Sequence, residues 1–207
     1  MVEKEAVLEG YEDVARVYTE ERTLSQQERE ALGSFLDTLS PDARVLDAGC
    51  GGGEPVLRQV ASHSGGAIGL DFSAEQLELA RSNAPEARLL RGDMTRIPVT
   101  DGSMDAVLAQ HSLIHIPAEE HRTVIEEFAR ILRSGGHLLV SEGPGEWQGS
   151  NPDWLDAGAE MQWDIAGAET TRTQLEAAGF RIRNEYGPPN TGADTEEWVF
   201  FDATVTY

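Results

Sequence analysis

Apolar positions along this chain follow two alternating rhythms. Short unbroken runs (Val45-Leu46, Ala67-Ile68-Gly69-Leu70, Leu89-Leu90, Ala106-Val107-Leu108-Ala109, Leu138-Leu139-Val140) read as buried strands. Between them, apolar residues return every three or four positions, as on a helix with one face turned inward. Leu32, Phe35, Leu36 and Leu39 form one such stripe, and Val56, Leu57 and Val60 another. Leu77 and Ala80 carry a third, while Val124, Ile125, Phe128, Ile131 and Leu132 make the longest. A leading helix is predicted over residues 8–22, with Tyr11, Val14 and Tyr18 on one side. Ser25-Gln-Gln-Glu28, Ser73-Ala-Glu-Gln76 and Thr171-Arg-Thr-Gln174 read as helix-opening caps. Pro55 and Pro117 suit first turns, and Ser40-Pro41-Asp42, Gly65-Gly66, Ser134-Gly135-Gly136 and Gly179 mark helix ends. A sixth strand is expected over Phe180–Tyr186, and a last, antiparallel one over Trp198–Tyr207, with Val199, Phe201, Ala203 and Val205 on one face. This alternation predicts a single doubly wound α/β domain, a mostly parallel sheet with helices on both faces.

The stretch Val45-Leu-Asp47-Ala-Gly49-Cys50-Gly51-Gly52-Gly53-Glu54-Pro55 runs from a strand through a glycine turn into a helix. Glycines leave no Cβ in the way, so this backbone can turn tightly and approach a ligand. Such a turn at the carboxyl edge of a parallel sheet is a nucleotide site. The dinucleotide fingerprint fails, because Glu54 or Val56 stands where its third glycine belongs. No Gly-Lys-Ser/Thr ending exists for a phosphate loop, and Glu54 at the helix start would repel a phosphate. The turn therefore suits a ligand without pyrophosphate. Asp47-x-Gly49-x-Gly51-x-Gly53 resembles the first motif of the class I S-adenosylmethionine (SAM)-dependent methyltransferases, and Arg130–Val140 is similar to that family's pattern before its fifth strand. The resemblance spans residues 40–142.

The resemblance implies a Rossmann-like sheet of seven strands, mostly parallel with an antiparallel last strand. It also implies SAM as cofactor and S-adenosylhomocysteine (SAH) as product. In the family the glycine turn (here Asp47, Gly49, Cys50, Gly51 and Gly53) lies against the methionine part, which carries an amine and a carboxylate. Asp71 ends the second strand, where a carboxylate offers two oxygens to the ribose hydroxyls. Phe72 is placed to pack on adenine. Gly92-Asp93-Met94 follows the third strand, with Asp93 as acceptor for the adenine amine and Met94 as a polarisable surface. The transferring methyl is expected near the end of the fourth strand, at Gln110-His111-Ser112-Leu113-Ile114-His115. Tyr18, with Tyr11 and Arg22, would close the methionine end. Cys50 has no histidine or asparagine nearby in sequence and reads as a small filler of the turn.

Domain organisation is expected as a helical cap (1–40), a cofactor-binding core (41–142), a lid (143–168) and a C-terminal helix with the last two strands (169–207). Trp147, Trp154 and Trp163 concentrate in the lid and suggest a pocket wall. At 207 residues the chain suits one well-buried domain, without internal repeats. No apolar run approaches the ~18 residues of a membrane span, and the charged Met1–Glu5 lacks the apolar core of a secretory signal. A single cysteine excludes an internal disulfide and suits a reducing cytoplasm.

Charge narrows the partners further. With 37 acidic against 16 basic residues, the formal net charge is −21. This disfavours nucleic acid and anionic membranes alike. It suits a halophilic, salt-rich cytoplasm, where screening over ~3 Å at molar salt relieves self-repulsion. Stability should therefore rise with salt; a melting midpoint that stays flat or falls between low and molar salt would contradict that.

The sulfonium of SAM is already activated, so the protein must chiefly align and desolvate, effects worth roughly 7–11 kcal/mol. A hydroxyl or protonated amine acceptor also needs a general base. His115 and His111 are the candidates, because neutral imidazole titrates near neutrality. The five histidines are scattered and no metal site is expected. A small-molecule methyltransferase, monomeric or homodimeric, is the leading expectation. Action on RNA or protein is the enzyme alternative, without a basic patch or an Asn-Pro-Pro-Tyr-like tetrapeptide after the fourth strand. A cofactor-binding protein without turnover is the third reading.

Overall fold

A computed structural model describes residues 2–187 and 198–206. Two helices lead the chain, α1 (Lys4–Glu21) and α2 (Gln26–Leu36). The core alternates β1 (Arg44–Ala48), α3 (Val56–His63), β2 (Gly66–Asp71), α4 (Ala74–Asn83), β3 (Arg88–Arg91), β4 (Met104–Ala109), α5 (Ala118–Ile131) and β5 (Leu132–Glu142). A hairpin follows, β6 (Trp147–Trp154) and β7 (Ala159–Ile165), then α6 (Ala168–Ala177), β8 (Phe180–Tyr186) and β9 (Val199–Val205). The seven-stranded sheet has the order β3-β2-β1-β4-β5-β9-β8, and β9 alone runs against the others.

Successive strand residues face opposite sides, which sorts the core into two layers. Val45, Ala67, Leu108, Leu139 and Phe200 meet Leu32 and Phe35 of α2 and Val60 of α3. Leu46, Leu70, Val107, Leu138 and Phe201 meet Val124, Ile125 and Phe128 of α5 and Leu175 of α6. Strand order reverses at β1 and β4, and a crevice opens beyond the carboxyl ends of strands at such a switch point. Over that crevice lies α1, packed on β7 with Val7 and Tyr11 against Met161. The two backbones approach so closely that a Cβ on Gly10 would stand 2.2 Å from the Glu160 carbonyl oxygen. No described helix is long and apolar enough to cross a membrane.

Several expectations need correcting. The leading helix begins at Lys4, earlier than its apolar stripe suggested. Helix α5 stops at Ile131; Leu132 already pairs with Met104, so β5 starts five residues before His137. Thr171 does not cap α6. Gly167 stands at the N-cap, and the buried Thr171 hydroxyl instead donates to Glu142 Oε2 at 3.0 Å. β9 is buried on both faces because β5 and β8 flank it and helices cover both sides, so Phe200 is as enclosed as Phe201; Tyr207 lies outside the described residues. The Ser25–Glu28 capping box is present in full, and Ser73 accepts from the Gln76 amide.

Candidate active site

The crevice is a cleft of about 660 Å³, counted out to its mouth. Gly49 and Gly51 form its floor, with Asp71, Phe72 and Met94 along one wall and Gln110, His111 and His115 along the other. A second lobe of about 360 Å³ continues from Tyr18 and Gln110 to Arg22, Asp47, Cys50 and Glu54. The glycine turn is fixed by backbone bonds: the Gly49 and Cys50 amides both donate to the Leu70 carbonyl, at 2.8 and 3.0 Å. At Gly49 φ is +79°, and an added Cβ would sit 2.3 Å from Cβ of Ser112. Ser112 holds that position because its hydroxyl donates to the Ala48 carbonyl at 2.8 Å. Sterics thus require glycine there whether or not a ligand binds.

Three carboxylates come to this edge, in different states. Asp71 is buried, its Oδ2 accepting from the Gly51 amide at 2.8 Å and its Oδ1 from the Ser73 amide at 2.9 Å. Burial pushes its pKa up to about 6, against the pull of those amides. Asp47 is pushed up to about 7, by burial and then by the charge of Asp71, with Arg22 offsetting part of the effect. Among the described residues its Oδ2 is buried without a hydrogen-bond partner, as are both side-chain polar atoms of Gln110. Unpartnered buried polar atoms are uncommon and usually await a ligand or water. Two orphan acceptors, one orphan donor and the Arg22 guanidinium line adjoining walls, a set that complements an amine beside a carboxylate. The residues present therefore fit the amino-acid end of SAM.

Asp93 differs. Its Oδ1 accepts from the Thr95 amide and hydroxyl, each at 2.8 Å, and its Oδ2 from Lys4 Nζ at 3.0 Å. Burial raises its pKa, and those bonds outweigh it, leaving the carboxyl below the usual range. Lys4 also pairs with Glu120, so the first turn of α1 is tied to both sides of the cleft mouth. Phe72, Gly92 and Met94 lie beside Asp93 in the cleft. Gly53 is not among the lining residues. At φ +83° it lets the loop lie against Ala80, whose Cα a Cβ would approach to 3.0 Å. Cys50 is buried, and burial pushes its thiol well above the ordinary range, as suits a filler rather than a nucleophile.

The two histidines are held in different ways. His115 lies in the 3-10 turn Leu113–His115. Its Nδ1 is 3.0 Å from the Gln162 carbonyl, which can only accept, so Nδ1 carries the proton and Nε2 accepts from the Tyr11 hydroxyl at 2.8 Å. Burial lowers this imidazole to about 4. His111 has a left-handed backbone, φ 51°, with its amide donating to Ser141 Oγ. Its Nε2 donates to Glu28 Oε1 at 2.9 Å, while no described residue hydrogen-bonds its Nδ1. Burial lowers the His111 pKa, partly offset by Glu28. Burial would raise Glu28, but His111, Arg22 and the Ser25 amide hold it well below the carboxylate range.

The tryptophans do not wall the cleft. Trp154 packs from outside on Tyr11 and Tyr18, with ring centroids 5.5 and 5.3 Å away. Trp163 lies 6.0 Å from the His115 ring, and Trp147 is 51% exposed. Sequence reasoning missed Glu28 and Lys4 as parts of the site. Only Glu28 left a trace, in the capping box, where one carboxylate was assigned a single task. Among the described residues no group of three or more His, Cys, Asp or Glu side chains could hold a metal ion.

Comparison with known proteins bears on this site. A family described as "Methyltransferase domain" matches residues 46–140. The chain is 30% identical over 196 residues to 27-O-demethylrifamycin SV methyltransferase of Amycolatopsis mediterranei, covering 92% of this chain and 69% of that protein. It is 31% identical over 137 residues to the O-methyltransferase rstn1 of Aspergillus nomiae, covering 63% of this chain but 57% of that one. Its fold is similar to crystalline magnesium protoporphyrin IX methyltransferase (ChlM) from Synechocystis with bound SAH: the TM-score is 0.68, with 18% identity over 99% of this chain and 100% of that one.

Proposed function

The chain belongs to the class I SAM-dependent methyltransferases, and from that premise we propose that it methylates a small molecule with His111 as general base. The observation that carries the cofactor assignment is the orphaned set at Asp47 Oδ2 and the Gln110 amide, facing the lobe that Arg22 lines. Asp47 and the Gln110 oxygen would accept from the amine, and Arg22 and the Gln110 nitrogen would donate to the carboxylate. Asp71 would take the ribose hydroxyls on the lone pairs its two amide bonds leave over. Phe72 and Met94 would flank the adenine, with Asp93 and Lys4 at its polar edge. When bound, SAM supplies an activated methyl on a sulfonium and leaves as SAH.

The remaining work falls to the chain's own groups. Tyr11 and Tyr18 of α1, backed by Trp154, exclude water from the cleft and hold the reactants at near-attack distance. His111 is the better base because no described residue engages its Nδ1 lone pair, whereas both His115 nitrogens are engaged. The proton leaves the acceptor for His111 Nδ1, and Glu28 stabilises the resulting imidazolium through Nε2–H. His115 stays neutral and anchors Tyr11. A small acceptor is favoured by an aromatic-lined cleft beneath α1, and by the net charge of −21. Of the relatives named above, one is called 27-O-demethylrifamycin SV methyltransferase and the other an O-methyltransferase; a hydroxyl acceptor is accordingly proposed.

Methyl-tritiated SAM incubated with the protein and a metabolite extract should label the small-molecule fraction. His111→Ala should slow that transfer by about 10²–10⁴-fold, the range for a lost general base, while SAH still binds. Label in protein or RNA instead, or an undiminished rate in His111→Ala, would refute the reading.

A further inference from the structure

We propose that Arg22 makes the proton affinity of His111 depend on whether the amino-acid lobe is filled, with Glu28 as the positioning residue between them. Its consequence for catalysis rests on His111 being the base; the coupling itself does not.

Glu28 Oε1 is shared: Arg22 Nη2 and His111 Nε2 both donate to it. Its Oε2 is occupied by the Ser25 amide at 2.7 Å. Glu28 is buried and does not line the cleft; Arg22 does, as the one cation among the residues lining the second lobe. One guanidinium therefore serves two anionic sites, the Glu28 carboxylate and whatever carboxylate enters beside Asp47 and Gln110. A ligand carboxylate that draws Arg22 toward the lobe leaves Glu28 Oε1 accepting from His111 alone.

The sign follows from the charges around the imidazole. Glu28 favours its protonated form and Arg22 opposes it. The uncharged Ser141 hydroxyl of β5 is held by the His111 backbone amide, and the rings of Trp198, just before β9, and Phe200 within it lie 4.4 and 6.0 Å from the imidazole. His115, the titratable group on its own loop, is neutral. Weakening the Arg22 bond to Glu28 raises proton affinity at His111, because Arg22 is partly neutralised by the ligand carboxylate while the ligand amine is held by Asp47. The base is thus weak in the empty enzyme and stronger once the amino-acid end is in place. Adenosine alone, which has no carboxylate, leaves it unchanged.

The full chain labelled with ¹⁵N-histidine tests this by NMR titration of His111, free, saturated with SAH, and saturated with 5′-methylthioadenosine, which lacks the amino-acid end. The free protein should show protonated Nε2 and bare Nδ1. SAH should raise the His111 midpoint by about half a unit or more, roughly threefold in proton affinity, and 5′-methylthioadenosine should move it by less than half as much. Glu28→Gln, which keeps a side chain able to close the capping box, should lower the free midpoint and abolish its response to SAH. A midpoint unmoved while calorimetry shows SAH bound overturns the coupling and leaves the cofactor assignment standing. Equal shifts with both ligands, an Nδ1–H tautomer in the free protein, or an unaltered response in Glu28→Gln overturn it as well. Whether His111 is the base is decided separately, by the tritium transfer of His111→Ala.

Discussion

Replacing Asp71 with alanine should weaken SAH binding by at least about a hundredfold while leaving the protein folded. The carboxylate does two things at once. It pins the Gly51 and Ser73 amides at 2.8 and 2.9 Å, which sets the glycine turn against the start of α4. It also presents its remaining lone pairs at the tip of β2, where ribose hydroxyls would donate. A hydrogen bond to a charged group contributes about 1.5–3 kcal/mol, so losing two such ligand bonds exceeds the ~2.7 kcal/mol of a hundredfold change. Stability is affected less, because opposing effects meet. Two amides lose a partner, but a buried carboxyl whose pKa is pushed up to about 6 no longer has to ionise at neutral pH. Melting and calorimetry on the same preparation read both. A folded variant that binds SAH within tenfold of the parent would remove Asp71 from the site.

Asp47→Asn is expected to move stability and affinity in opposite directions. In the fold this carboxyl is pushed up to about 7, whereas in the unfolded chain it titrates near the ordinary ~3.9. The native state thus holds the proton more tightly, and the unfolded state binds fewer protons between those values. By linkage the Asp47 contribution to stability declines as pH rises from about 4 through about 7 and is constant above. Asparagine has no such dependence. The stability gained by the variant should be near zero at pH 4 and grow to at most about 4 kcal/mol at pH 8, the full three-unit shift converted. SAH affinity should fall, because an uncharged amide oxygen is a weaker acceptor for the amine than a carboxylate. Denaturant unfolding at pH 4, 6 and 8 checks the first half and calorimetry the second. Destabilisation at pH 8 would show instead that Asp47 has a partner in the fold and is there for structure.

How much of this was legible in the sequence depends on how local each cause is. The β1 turn, the acid ending β2 and the Ser25–Glu28 box rest on neighbours within a few residues, and each stands where the pattern put it. The hairpin lies within the 143–168 lid and leaves no strand signal in the sequence, because Gly149, Asn151 and Pro152 break the alternation that marks a strand. Thr171 looked like a cap since its spacing to Gln174 fits one, yet burial against Glu142 decided its position. The polar assembly around the cleft was beyond reach. Glu28 meets His111 across 83 residues, Tyr11 meets His115 across 104, and Lys4 meets Asp93 across 89. No periodicity carries such pairings. The apolar core followed from composition along each element, whereas the state of each site group depends on what the fold brings beside it.

That the orphaned acceptors of Asp47 and Gln110, the Asp71 carboxylate and Arg22 together form one binding site for an adenosyl amino acid can be tested by a single titration. Isothermal calorimetry of SAH into the intact chain should give one saturable site per chain. Absence of heat at millimolar SAH, with the protein shown to be folded, would contradict it.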